Sequence, residues 1–168
     1  MRVAVTGTPG TGKTTATDLL ETDLDVVHLN DVIKSEGFST DTDEERGSLV
    51  ADMDAVAEWL EGREDAVVES HLAHNFEADR VVVLRAHPET VVERLRGRGD
   101  SDSKAYENAE SEALDVVLSE AVHHHGTEDV YEIDTTDREP SDVAAEIAAV
   151  IAGEREPSAG TVSYVEWL

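Results

Sequence analysis

The chain alternates short apolar runs with amphipathic stretches almost from its first residue. Arg2-Val3-Ala4-Val5-Thr6 reads as a buried strand, and Asp25 to Leu29, Ala66 to Glu69, Arg80 to Arg85 and Val130 to Asp134 follow as further strands. The Ala66 and Arg80 segments are continuous apolar runs, as expected of strands covered on both faces. Helical patterns lie between them. Thr14 to Glu21 opens a helix, and Asn30 or Asp31 is placed to cap a short one through Glu36. Gly37 to Asp43 reads as a loop. Glu44 to Glu61 sets Leu49, Met53, Val56, Ala57 and Leu60 on one helical face and ends at Gly62. Pro88 sits in the first turn of a helix that runs to about Arg96. Gly97 to Ser103 is a polar loop, Lys104 to His125 a long helix, and Pro140 to Ala152 the last full helix. Gly153 to Gly160 reads as a flexible connection to a small apolar tail, Tyr164-Val165-Glu166-Trp167-Leu168. This alternation predicts an α/β fold with a five-stranded, mainly parallel sheet flanked by helices.

The first strand leads directly into Gly7-Thr8-Pro9-Gly10-Thr11-Gly12-Lys13-Thr14-Thr15. This fits G-x-x-x-x-G-K-[ST], the phosphate-binding loop of nucleotide-hydrolysing and nucleotide-transferring enzymes, with the required strand before it and helix after it. Glycines let the backbone wrap closely around phosphates with several N–H groups pointing inward. The helix N-terminus adds partial positive charge. Lys13 is the residue to reach the β- and γ-phosphates of ATP, and the Thr14 hydroxyl is a ligand for Mg²⁺. The motif turns the general α/β expectation into a P-loop NTPase fold.

Charge changes the picture next. Asp plus Glu number 39 against 13 Lys plus Arg, a formal net charge of −26, and the acids are spread along the chain. Only Lys13, Lys34 and Lys104 are lysines. With the apolar periodicity intact, this describes a folded protein with an acidic surface, which repels itself at low salt and is screened in concentrated salt. A halophile's cytoplasm is the natural setting, with an ordinary acidic mesophilic protein as the alternative. Such a surface argues against binding a nucleic acid backbone, DNA included. The 168 residues suit one domain spanning 1–168. No stretch approaches the ~20 apolar residues of a membrane span, and the first strand leaves no room for a signal peptide. There are no cysteines, so disulfides and cysteine-bound zinc are excluded.

A phosphate loop alone does not separate an ATPase, a GTPase and a small-molecule kinase. No Asn-Lys-x-Asp pattern occurs, so a typical guanine reader is missing. The chain has little room for the added elements of motor ATPases. After the fourth strand comes Glu93-Arg94-Leu95-Arg96-Gly97-Arg98-Gly99, then a polar loop and a helix. A helix ending in arginines before a short loop resembles the lid of nucleoside monophosphate kinases, whose arginines balance charge in phosphoryl transfer. The alternative is a basic helix end that favours the helix dipole.

Taken in order, these pieces resemble the adenylate kinase isoenzyme 6 type family, also described as nuclear adenylate kinase or ribosome-assembly ATPase. The resemblance spans nearly the whole chain. It rests on the loop from Gly7 to Thr15, Asn30-Asp31, Glu69-Ser70-His71, Val82-Val83-Leu84-Arg85, Arg94-Leu95 leading to Arg98-Gly99, Lys104 with Glu107-Asn108, and a closing Trp167. It implies an ATP- and Mg²⁺-dependent kinase acting on AMP or another nucleoside monophosphate, and with the acidic charge the expectation is a member from the cytoplasm of a halophilic archaeon. It also implies a rival role as a nucleotide-switched ATPase in small ribosomal subunit maturation, with a basic ribosomal protein as partner.

By position, the resemblance implies that Gly10, Gly12, Lys13, Thr14 and Thr15 hold the ATP phosphates and that Arg98 is the lid arginine. Residues from about Asn30 to Val50 would form the monophosphate-binding segment, with Asp31 among them, and about Gly97 to Glu107 the lid. Asp134-Thr135-Thr136-Asp137 would lie near the adenine. The family's second acidic motif often reads Asp-x-His, where Glu69-Ser70-His71 stands here. Glu69 is a candidate to hold a Mg²⁺-bound water. His71 is a candidate to position the attacking group or a water, or else is a hydrogen-bonded histidine at a strand end. Lys34 stands where adenylate kinases usually carry an arginine, and it neutralises phosphate without forking it. Arg46 is a candidate second contact, and both residues have a solvated surface role as the alternative. His123-His124-His125 at a helix end fits the helix dipole rather than a metal. Trp59 is expected in the core, and Trp167 either docks the tail or serves a partner.

Overall fold

The computed structural model describes residues 1–43 and 48–168. Among the described residues, seven strands and seven α-helices follow in the order β1 (Arg2–Thr6), α1 (Lys13–Asp18), β2 (Asp25–His28), α2 (Leu29–Glu36), β3 (Ser39–Asp43), β4 (Ser48–Ala51), α3 (Met53–Leu60), β5 (Ala66–Glu69), β6 (Arg80–Arg85), α4 (Pro88–Gly97), α5 (Asp102–Ala113), α6 (Val116–His125), β7 (Val130–Asp134) and α7 (Pro140–Ile151). Five strands form one sheet in the order β2-β5-β1-β6-β7, with every pair parallel. Parallel strands need crossovers, so all the loops that follow them emerge at one end of the sheet.

Both faces of the sheet are covered, which explains the continuous apolar runs. On one face Val3, Val5, Val67, Val82 and Leu84 pack with Ala16 of α1 and with Val143, Ile147 and Val150 of α7. On the other, Ala4, Val68, Val81 and Val83 meet Leu29 and Ile33 of α2, Val56 and Leu60 of α3, and Leu118 and Ala121 of α6. Odd and even positions of β1 serve opposite cores, the period-two alternation of a strand. A third cluster joins Val91, Val92 and Leu95 of α4 to Ala105 and Ala109 of α5, with Trp167 against it.

Several elements differ from the sequence expectation. Ser48–Ala51 is a strand rather than helix, paired antiparallel with β3, and Ser39–Asp43 is a strand rather than loop. The helix starts later because Asp52 caps it, its side chain accepting from the Ala55 N–H at 3.1 Å. Neither Asn30 nor Asp31 caps α2. His28 stands at the cap position without a side-chain bond, and Asn30 accepts instead from the Ser70 hydroxyl at 2.7 Å. The long helix from Lys104 is two helices, because Asp115 adopts a left-handed φ of 56° between α5 and α6. That conformation costs ~1–2 kcal/mol in a non-glycine residue. It is held by a 2.5 Å ion pair to the fully buried Arg85. The polar loop is shorter than expected, since α5 begins at Asp102, capped by Ser101. Trp59 is partly buried against the core and carries the Arg63 guanidinium 3.8 Å over its ring.

The segment from Gly153 to Gly160 is tethered rather than loose. Ser158 donates to the Val130 carbonyl at 3.0 Å, and its hydroxyl accepts from the Glu132 N–H at 2.9 Å, so this segment covers the edge strand β7. The tail then docks on the domain: Trp167 Nε1 donates to Glu89 Oε1 at 2.7 Å.

Candidate active site

The loop from Gly7 to Thr15 leaves β1 at the end of the sheet where the crossovers emerge. Gly7 has φ 152°, and a Cβ there would lie 2.6 Å from Thr11 Oγ1 and 2.7 Å from the Leu84 carbonyl oxygen, so no side chain fits. Gly12 turns the chain into α1 in the left-handed region, φ 88°. Inside the loop, Thr11 donates its hydroxyl to the Thr8 carbonyl at 2.7 Å, and Lys13 Nζ donates to the same oxygen at 3.1 Å. Thr8 is held from below: its hydroxyl donates to Glu112 Oε1 at 3.0 Å. Glu112 is buried and also takes the Ala86 N–H and the Arg85 guanidinium. The phosphate loop is therefore fastened to the C-terminal end of α5 through a buried charged network.

A cavity of about 1050 Å³ opens over this loop. Gly10, Gly12, Lys13, Thr14, Thr15, Glu69, His71, Lys34 and Arg98 all line it. All three lysines of the chain, Lys13, Lys34 and Lys104, therefore face one space. Arg94, Asn30, Glu107, Asn108 and Ser111 line it as well. Asp31 and Asp137 do not. Asp31 is exposed in the first turn of α2, and Asp137 is exposed just beyond Thr135 and Thr136. Arg46 lies outside the described residues.

The end of β5 is organised by its neighbours. Glu69 lies opposite His28 of β2 and opposite Val5 of β1. Its Oε1 accepts from the Thr14 hydroxyl at 3.1 Å and from His28 Nδ1 at 2.8 Å. His28 Nε2 faces Asp18 Oδ1 at 3.1 Å. Burial pulls the His28 pKa down, but the hydrogen bond and charge of Glu69 outweigh it, and the net shift is upward. His71 behaves in the opposite way. Burial, and then the nearby cations Lys13, Arg98 and Lys104 together with His74, push it down to about 4. Its ring is therefore neutral near pH 7, with Nδ1 3.5 Å from Asn30 Nδ2. Burial likewise lowers Lys13 to about 8, against the opposing pull of Glu69.

The arginines grouped by the sequence separate in space. Arg94 turns inward, donating to the Gly10 carbonyl at 3.3 Å and to Thr135. Arg96 turns outward to Asp102 at 2.8 Å and lies over Tyr106. Arg98 is half-exposed at the cavity mouth and pairs with Asp100 at 2.7 Å. Thr135, after β7, reaches the loop from the far side, donating to the Thr11 carbonyl at 2.9 Å.

Among the described residues no cluster of three or more His, Asp or Glu side chains could hold a metal ion unaided. Thr14 and Glu69 nonetheless offer two hard oxygen atoms 3.1 Å apart beside Lys13. That donor set fits Mg²⁺, which is usually bound through one or two protein oxygens together with substrate phosphates. The histidine run at the end of α6 has a structural use, since His125 Nε2 meets the His74 carbonyl at 2.8 Å.

Relatives of known name share this chain's full length. A Natronomonas pharaonis protein named "Putative adenylate kinase" is 64% identical over 168 residues, covering all of both chains. One of the same name from Halobacterium salinarum is 62% identical over 169 aligned positions, again covering all of both. The chain belongs to this archaeal adenylate kinase family. A more distant relative of the same name, from Methanothermobacter thermautotrophicus, is 44% identical over 99% of this chain and 98% of that one. The first two sources are halophilic archaea, in keeping with the acidic composition. A family model described as an AAA domain matches residues 3–115, the part of this adenylate kinase family chain that runs from β1 through α5. Among solved structures, shikimate kinase from Acinetobacter baumannii in complex with shikimate superposes with TM-score 0.61 at 17% identity, over 92% of this chain and 94% of that one. Shikimate kinase from Aquifex aeolicus gives 0.55 at 20% identity, over 91% and 97%. At that identity the likeness concerns the fold. Among the described residues no helix is long and apolar enough to cross a membrane.

Proposed function

We propose that this protein is a nucleoside monophosphate kinase that transfers the γ-phosphate of ATP to AMP. The observation that carries the reading is the gathering of every lysine of a −26 chain around one cavity at the phosphate loop. On so acidic a protein, positive charge concentrated at one place needs an anionic ligand to explain it. The family relationship supports adenine nucleotides as that ligand.

In this reading ATP lies with its phosphates in the loop of Gly10, Gly12, Lys13, Thr14 and Thr15 and its adenine toward Thr135 to Asp137. The acceptor enters on the side of α2, where Asn30, Ile33 and Lys34 line the cavity. Lys34 neutralises the acceptor phosphate. Thr14 and Glu69 would hold Mg²⁺, whose chemistry is to neutralise the β- and γ-phosphate oxygens. Lys13 and Arg98 balance the charge that builds on the transferred group. Lys104 adds to that field from α5. The neutral His71 ring orients the attacking oxygen without repelling the surrounding cations. There is no covalent intermediate, and the rate comes from alignment and charge neutralisation.

The test is ATP consumption in molar KCl against a panel of monophosphates. AMP should accelerate it far above the rate without acceptor. Equal rates with and without every monophosphate would favour the rival reading, an ATPase whose nucleotide state controls a partner.

A further inference from the structure

His28 belongs to none of the groups that the loop or the lid requires, yet it touches the site at its most sensitive point. The β2–β5 register sets it directly opposite Glu69. Its Nδ1 lies 2.8 Å from Glu69 Oε1, the same oxygen that takes the Thr14 hydroxyl. Its Nε2 lies 3.1 Å from Asp18 Oδ1, at the end of α1. The imidazole thus bridges the helix that follows the phosphate loop and the carboxylate that closes β5. A carboxylate at the end of a strand turns freely about its last torsions unless something holds it. Two donors on one oxygen, from different elements, restrict how the Glu69 carboxylate can turn. Asp18 in turn fixes the ring plane, as a carboxylate behind a histidine does around metal centres.

We propose that His28 is a positioning residue that orients the Glu69 carboxylate for the Mg²⁺ of the nucleotide complex. The inference rests on the reading of Glu69 as a metal-side residue and adds to it the device that aims the carboxylate. His28 does not line the cavity. Its effect on the metal passes through Glu69, so it should appear in metal affinity before it appears anywhere else.

The experiment is a calorimetric titration of Mg²⁺ into protein saturated with a non-hydrolysable ATP analogue, in molar KCl. Wild type is compared with His28→Ala, His28→Asn and Glu69→Gln, and a thermal melt confirms that each variant is folded. His28→Ala should weaken Mg²⁺ binding by about 10-fold, at the lower end of the usual cost of losing an outer-shell partner. His28→Asn places an amide N–H near the position of Nδ1 and should recover most of that loss. Glu69→Gln should weaken binding at least as much as His28→Ala. If Glu69→Gln weakens Mg²⁺ binding and His28→Ala does not, the positioning role is overturned while the role of Glu69 stands. If His28→Asn is no better than His28→Ala, the hydrogen bond is not what matters, and the proposal also fails. If Glu69→Gln itself leaves Mg²⁺ binding unchanged, the reading of Glu69 falls and the role of His28 falls with it.

Discussion

Arg94 forks onto Thr135: its Nη1 meets the threonine hydroxyl at 3.0 Å and its Nη2 the carbonyl oxygen at 3.1 Å. Since Nη1 also reaches the Gly10 carbonyl, one guanidinium joins α4, the phosphate loop and the loop after β7. Arg98, one turn further along, has its side chain 53% exposed and a short-range partner in Asp100. These two arginines of one cluster therefore have different work.

Arg94→Ala should lower stability by about 1–3 kcal/mol, the cost of leaving buried hydrogen-bonding groups without partners, and should weaken ATP binding as the loop loosens. Arg98→Ala should leave the melting temperature near wild type and reduce turnover by roughly 10²-fold, as expected for a group that acts on transition-state charge. Thermal melts and steady-state kinetics on both variants check this. If Arg98→Ala weakens ATP binding while turnover at saturation is unchanged, Arg98 is a ground-state contact only.

Lys13 should make ATP binding proton-linked. Burial holds it down to about 8 in the free protein. Bound phosphate oxygens favour the ammonium and raise that value, so the complex carries more protons than its parts, and binding takes protons up. The Lys13 uptake should be larger at pH 8.5, above its free-protein value, than at pH 7, below it. Calorimetry in buffers of different ionisation enthalpy measures it directly. An ATP-binding enthalpy independent of buffer at pH 8.5 would count against a charged Lys13 on the phosphates.

His71 and Glu69 should separate transfer from hydrolysis. His71→Ala is expected to cut ATP hydrolysis in the absence of a monophosphate more than it cuts transfer to AMP, because water needs orienting more than a bound acceptor does. Glu69→Ala should harm both, since metal placement serves both. Equal losses in His71→Ala would show that this histidine does not divide the two reactions.

Salt should set the stability of the fold. A charge of −26 gives self-repulsion that screening relieves. The melting temperature should fall steadily from molar to millimolar KCl. A value independent of salt would remove the halophilic interpretation.

The sheet was legible in the sequence because its strands are apolar runs and its first turn is a phosphate loop. The β3–β4 hairpin was not. Ser39-Thr40-Asp41-Thr42-Asp43 has no apolar alternation to mark a strand, and the acidic stretch after it favours helix. The break at Asp115 was hidden for a different reason: one left-handed residue redirects a helix without disturbing the apolar period on either side. At the site, the loop residues and Glu69 and His71 were named from the sequence, and the fold brings them to one cavity. The scarcity of lysine was itself a signal for Lys104, which lines the cavity with Lys13 and Lys34. The contacts of Arg94 and His28 could not be read. Arg94, Arg96 and Arg98 look alike along the chain, and the His28–Glu69 pair exists only because β2 lies beside β5 in a particular register.

The most direct test follows the phosphate itself. ATP labelled at its γ-phosphorus is incubated with AMP and Mg²⁺ in molar KCl, and the label is located in the products. The account predicts that it appears as the β-phosphate of ADP formed from AMP, that two ADP form for each ATP consumed, and that Lys13→Ala abolishes both. Label recovered as inorganic phosphate, at a rate that AMP does not change, would contradict it.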